Sequence, residues 1–189
     1  MCIRDRSKVI VTADVGYRRG NSMDLKGIID ESIKELDFVE HVVVLKRAEG
    51  SLELGPKDRL WHELMNKSSD KCEPEHLDSI HPLFILYTSG TTGKPKGVLH
   101  GTGGYLTHLN STFQWAFDIK DSDIFFCTAD IGRVTGHSYV VYGPLLHGAT
   151  EIMYEGVPDY PDASRMWDII NRYGAVSYTH LTLPTIYSV

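Results

Sequence analysis

Tyr87-Thr88-Ser89-Gly90-Thr91-Thr92-Gly93-Lys94-Pro95-Lys96-Gly97 is the stretch on which the reading of this chain turns. Ahead of it, Leu83-Phe84-Ile85-Leu86-Tyr87 is short, aromatic-rich and bounded by Pro82 and a Ser/Gly/Thr cluster, the pattern of a buried strand delivering a loop. The loop then sets out the hydroxyls of Thr88, Ser89, Thr91 and Thr92. Gly90, Gly93 and Gly97 allow positive φ and close backbone approach, so successive N–H groups can converge on an anion, and Lys94 and Lys96 add charge. The combination is a cradle for polyphosphate. A Walker A loop would instead need G-x-x-x-x-G-K-[ST] opening a helix. Here only two residues separate Gly90 from Gly93, and Pro95 holds Lys94 extended, so no helix starts at this lysine.

Around this loop the composition is that of a soluble globular protein: 189 residues, 42% apolar and 23% charged, enough for one domain with a sizeable core. A formal net charge of -6 with no basic tract argues against nucleic acid or an anionic membrane as partner. No apolar run approaches the ~20 residues of a membrane helix. Three cysteines without C-x-x-C pairing point to neither a disulfide framework nor a zinc site, which suits a cytoplasmic protein. Nine histidines are scattered, none in H-E-x-x-H spacing.

Strand and helix patterns alternate along the chain. Lys8 to Ala13 reads as a strand ending at Asp14-Val15-Gly16, followed by a polar turn, Tyr17 to Ser22. Leu25, Ile28, Ile29, Ile33 and Leu36 follow helical spacing from Met23 to Leu36, with Ser22 as the expected N-cap. Val42 to Leu45 is a short buried strand, and Asp58 is expected to cap a helix bearing Leu60, Trp61, Leu64 and Met65 on one face. Beyond the loop, Leu106, Leu109, Phe113 and Phe117 mark an amphipathic helix, and Asp123 to Thr128 a buried strand that includes Cys127. A strand through Thr150 to Tyr154 and a helix from Asp162 to Tyr173, with Met166, Trp167, Ile169 and Ile170 inward, complete the pattern. The alternation predicts an α/β fold of mostly parallel sheets flanked by helices, with ligands beyond the carboxyl ends of strands.

The loop resembles the signature of the adenylate-forming superfamily, which includes acyl-CoA synthetases, luciferases and peptide-synthetase adenylation domains. Its continuation Gly97-Val98-Leu99-His100 resembles the acetyl-CoA synthetases in particular. The resemblance implies that Thr88, Ser89, Gly90, Thr91, Thr92, Gly93, Lys94 and Lys96 bind the phosphates of ATP. Ala13-Asp14-Val15-Gly16-Tyr17-Arg18-Arg19-Gly20 is similar to the family's Ala-Asp-x-Gly-x-Arg-x-Gly segment. That similarity implies that Arg18, Arg19, Gly20 and Asn21 contact the nucleotide end of CoA, where bidentate arginine–phosphate pairing is apt. Asn21 stands where the family usually has a second arginine.

Thr128 to Tyr139 resembles the family segment that lines the acetate pocket and reaches CoA, which implies Arg133, Val134 and Thr135 in the acyl pocket, with Thr135 also near CoA. Arg133 replaces the family's usual tryptophan, so acyl-chain preference is an open matter at this position. Glu155 to Pro161 resembles Glu-Gly-x-Pro-Asn-Trp/Tyr-Pro, with Asp159 at a CoA-contacting position. His100, just beyond the cradle, is read as structural.

Both termini are expected to be foreign. Codons for Met1 to Arg6 and for Val176 to His180 can be the two strands of one inverted repeat, which resembles a transposase-based DNA library adapter, and Leu181 to Thr185 resembles its continuation. Residues 1–6 and 176–189 are therefore read as adapter-derived, and 7–175 as part of the large N-terminal domain of an adenylate-forming enzyme. What the resemblance implies is an AMP-forming acetate–CoA ligase using ATP, Mg²⁺ and CoA, with its catalytic lysine and its acidic metal ligand beyond Ala175 and the fragment itself inactive. A ligase for propionate or another short-chain acid, and a non-catalytic nucleotide-binding fragment, are the alternatives.

Overall fold

The computed structural model describes residues 7–88 and 95–175. They form two compact units, one up to Glu75 and the other from His76. The expected adapter-derived ends and loop residues 89–94 lie outside the described residues.

In the first unit the β-branched run of β1 (Val9–Ala13) pairs in parallel with β4 (His41–Leu45), Val11 opposite Val43. The other edge of β4 takes β5 (Asp58–Leu60), also parallel. Because strand side chains alternate, Val42 and Val44 share one face; both are fully buried, with Val39, against Ile29, Ile33 and Leu36. Between β1 and β4 lie the hairpin β2 (Val15–Arg18) and β3 (Asn21–Asp24) and the helix α1 (Leu25–Ile33). Asp24, not Ser22, caps α1, its Oδ1 accepting the Gly27 N–H at 2.8 Å. Ser22 and Met23 are instead held extended by pairing with Tyr17 and Gly16.

Asp58 departs from its expected role too. It lies buried in β5, its carboxylate 2.9 Å from the Lys26 ammonium and accepting the Gly55 N–H at 2.7 Å. Lys26 is itself only 6% exposed, and a buried ammonium must be paired, here by Asp58 and Asp30. The helix α2 (Trp61–Lys67) starts from Leu60 without a side-chain cap, and none of its residues is buried.

In the second unit β6 (Pro82–Thr88) turns back antiparallel into β7 (Lys96–Gly101), which runs directly into α3 (Thr102–Trp115). Leu109 and Phe113 are the fully buried positions of α3, as the spacing predicted. Next come β8 (Ile124–Phe126), a helical crossover of α4 (Val134–Gly136), a π-helical stretch (His137–Tyr142) and α5 (Gly143–Leu146), and then β9 (Thr150–Ile152). β8 and β9 pair in parallel, a βαβ unit whose core is Phe113, Phe125, Cys127 and Val140. The helix α6 (Arg165–Tyr173) ends at Gly174, whose φ of 68° is the left-handed C-cap glycine favours. Of the residues expected to point inward on α6, Ile169 is buried, Met166 and Ile170 are half-buried, and Trp167 is 59% exposed.

The α/β character holds, with two parallel sheets and two antiparallel hairpins among the described residues. Hairpins arise where the connection is too short for a parallel crossover: only Arg19 and Gly20 join β2 to β3. Gly97, expected to supply positive φ, lies in β7 with extended backbone. Its role is close packing, since a Cβ there would stand 3.2 Å from both the Ile85 and Tyr87 side chains.

Candidate functional site

Arg18, Arg19, Gly20 and Asn21 form the exposed tip of the β2–β3 hairpin, with Arg18 paired to Asn21 across the turn. Arg19 and Gly20 have φ of 51° and 77°, two consecutive left-handed residues of the kind a two-residue hairpin loop requires. Glycine takes this conformation freely, whereas arginine at positive φ is strained. Lower on the hairpin, the Arg47 guanidinium lies 5.0 Å over the Tyr17 ring.

The base of this hairpin is tied to Asp14, which is 6% exposed. Its Oδ1 accepts N–H groups from Val15 at 2.7 Å and Arg47 at 2.8 Å, and its Oδ2 accepts the Ala48 N–H at 3.0 Å. Burial pushes the Asp14 carboxyl up, but the amides of Ala48, Arg47 and Val15 favour the charged form and leave it below its ordinary value.

The second candidate region is the β6–β7 hairpin and what packs on it. Thr88 and Lys96 are register partners at its open end, so the backbone brings together the two residues flanking the loop. The intervening Ser89, Gly90, Thr91, Thr92, Gly93 and Lys94 lie outside the described residues. Lower on the same hairpin Phe84 stacks on its partner His100 with ring centroids 4.6 Å apart. The Phe84 ring also meets Tyr105 edge-on at 5.1 Å, His137 edge-on at 4.9 Å, and Tyr142 in parallel at 5.6 Å. His100 is thus part of a ring pile that joins the hairpin to α3 and to the π-helical stretch, consistent with its structural reading.

Beside the pile lies a cleft of about 780 Å³ whose lining includes Val134, Thr135, Tyr105, Ser138 and His100. The hydroxyls of Tyr105 and Ser138 share a hydrogen bond of 2.7 Å. Burial pushes the Tyr105 phenol up, partly offset by that bond. Val134 and Thr135, taken from sequence as acyl-pocket residues, therefore share one cleft, while Arg133 is exposed and absent from its lining. Gly136, next to Thr135, allows a close backbone approach: a Cβ there would sit 2.2 Å from the Asp130 carbonyl oxygen.

Asp159 is exposed in the turn after β9, where the Tyr154 hydroxyl donates to the carbonyls of Val157 at 3.3 Å and Tyr160 at 3.4 Å. Cys127 is buried, and burial pushes its thiol up, away from reactivity. Among the described residues no group of three or more His, Cys, Asp or Glu side chains comes together to hold a metal ion. No described helix is long and apolar enough to cross a membrane. Sequence reasoning assigned no role to Asp14, Phe84, Tyr105 or Ser138; Asp14 and Ser138 lie inside the quoted motifs and Phe84 in the strand before the loop, whereas Tyr105 lies in neither.

The chain is similar to the solved structure of acetoacetyl-CoA synthetase from Streptomyces lividans, with a TM-score of 0.81 and 28% identity over 93% of this chain and 27% of that one. A family profile described as AMP-binding enzyme matches residues 4–187, and the chain belongs to that family. It is 54% identical over 169 residues to the acetyl-coenzyme A synthetase of Chlorobaculum tepidum and 54% identical over 170 residues to that of Deinococcus radiodurans. Each alignment covers 89% of this chain and 26% of the relative, so the chain spans about a quarter of the length of these relatives.

Proposed function

We propose that the chain carries the ATP-phosphate loop, and part of the CoA- and acyl-binding residues, of an AMP-forming acetate–CoA ligase. The observation that carries this reading is Val134 and Thr135 lining one cleft, in a chain 54% identical to proteins named acetyl-coenzyme A synthetase. In the first half-reaction a carboxylate oxygen of acetate attacks the α-phosphorus of ATP. The bond to pyrophosphate breaks, giving acetyl-adenylate. In the second, the CoA sulfur attacks the acyl carbon, its thiol proton leaves to solvent, and the bond to AMP breaks.

The loop from Thr88 to Lys96 acts in the first step, its hydroxyls, amides and lysines neutralising the β- and γ-phosphates as pyrophosphate departs. Magnesium enters as the counter-ion of the ATP substrate. Arg18, Arg19, Gly20 and Asn21 take the phosphates of CoA, and Thr135 and Asp159 contact CoA as well. Val134 and Thr135 bound the acyl group, and Arg133, which precedes them in sequence, is the third residue assigned to the acyl pocket. The reaction belongs to a longer, cytoplasmic ligase; the chain of 189 residues by itself is proposed to complete neither half-reaction.

A ligase for a larger short-chain acid is the second reading, kept because Arg133 stands where the resemblance implies a tryptophan of the acyl pocket. The test is to recover the full-length protein and follow ATP consumption with acetate, propionate and butyrate. AMP, pyrophosphate and acetyl-CoA forming together, with acetate preferred, is the expected result. Equal rates with butyrate favour the second reading, and ADP as product overturns both.

A further inference from the structure

Asp14 gathers hydrogen bonds from three directions. Its carboxylate accepts from Val15, the first residue of β2, and from Arg47 and Ala48, just beyond β4. Its main-chain carbonyl accepts the N–H groups of Leu25 and Lys26 at 3.1 Å each, immediately after β3 ends at Asp24. Its own N–H donates to the Leu45 carbonyl at 3.1 Å. Both feet of the β2–β3 hairpin, the end of β4 and the first turn of α1 are therefore tied to one residue. An ionised carboxylate accepting amides makes charge-assisted hydrogen bonds, stronger than neutral ones. Four-residue strands would leave the direction of the Arg18–Asn21 tip poorly fixed without such a base.

We propose that Asp14 is a positioning residue for CoA: its clamp on the two feet of the hairpin aims the Arg18–Asn21 tip at the phosphates of that substrate. The inference rests on the reading of the tip as the CoA contact. Asp14 touches no reacting atom. Its effect falls on the thioester-forming half-reaction alone, because adenylation uses no CoA.

The experiment compares Asp14→Asn, Asp14→Ala and Arg18→Ala in the full-length ligase, measuring pyrophosphate exchange into ATP without CoA, and the KM for CoA in the complete reaction. Asparagine keeps an oxygen for Val15 and Arg47 but turns an NH₂ toward the Ala48 N–H, so its effect should be the milder one. The expected result is a KM for CoA raised about tenfold in Asp14→Ala and about threefold in Asp14→Asn, with exchange held within about twofold. Should Asp14→Ala fail to fold, Asp14→Asn carries the test. Exchange and CoA use falling in parallel would mean a merely structural role and overturn the inference. It also falls if Arg18→Ala raises the KM while neither Asp14 variant does. An Arg18→Ala protein with an unchanged KM overturns the reading of the tip itself, and the inference with it.

Discussion

Two hairpins of this chain end in loops read as anion-binding, and they are held in opposite ways. The short β2–β3 hairpin is fixed at its base by polar bonds to one buried carboxylate, and its tip is a two-residue turn with a strained arginine. The longer β6–β7 hairpin is fixed by an aromatic pile centred on Phe84, and the Gly-rich segment between its strands lies outside the described residues. A tight turn has its geometry set by backbone conformation, so it needs only directional anchoring. The contrast predicts that disturbing one hairpin impairs one half-reaction and spares the other.

The largest effect belongs to the loop. Lys94→Ala in the full-length ligase should lower pyrophosphate exchange about 100-fold or more, on the scale of removing one preorganised electrostatic contact. Loss below tenfold would show that the lysine is not aimed at transferring charge. Next is the aromatic base: Phe84→Ala should cost about 3 kcal/mol in urea unfolding, since it removes ring contacts to four neighbours. Phe84→Leu should cost about half that, and equal losses would deny the rings a specific part.

Asp14 comes third, and its effect depends on pH. Its folded-state carboxyl titrates below the ordinary 3.8, so its contribution is fully present above that value and lost as pH falls through the lower folded one. Asp14→Asn should therefore be less stable than the wild type by about 2 kcal/mol at neutral pH, a gap that narrows below about pH 4. A gap constant down to strong acid would deny the carboxylate its charge-dependent role. The smallest effect is at the tip: Arg19→Gly relieves the positive φ and should stabilise by about 1 kcal/mol while weakening CoA use.

Much of the scaffold was legible because periodicity and turn chemistry are local. The strand before the loop, the Leu109 and Phe113 face of α3, and the buried Val42 and Val44 all follow from spacing alone. What escaped was set by distant partners. Asp58 looked like a helix cap because the next residues are helical, yet a lysine 32 positions earlier claims its carboxylate. Asp14 read as a strand end, and its donors Arg47 and Ala48 lie 33 and 34 positions away. The apolar face of α2 is exposed among the described residues, and so is Trp167 on α6, which was expected to point inward, in a chain that spans about a quarter of its relatives. Of the candidate site, Val134 and Thr135 were legible as a pair; the Tyr105–Ser138 bond beside them joins positions 33 apart and left no local trace.

The most direct test of the division of labour between the hairpins is one assay pair on two variants of the full-length ligase, Arg18→Ala and Lys94→Ala. Pyrophosphate exchange reports adenylation, and the KM for CoA reports the second half-reaction. A crossed result is expected: Lys94→Ala loses exchange, while Arg18→Ala raises the KM for CoA and loses far less exchange. Both variants depressing exchange to the same degree, with the KM for CoA unmoved in Arg18→Ala, would contradict it.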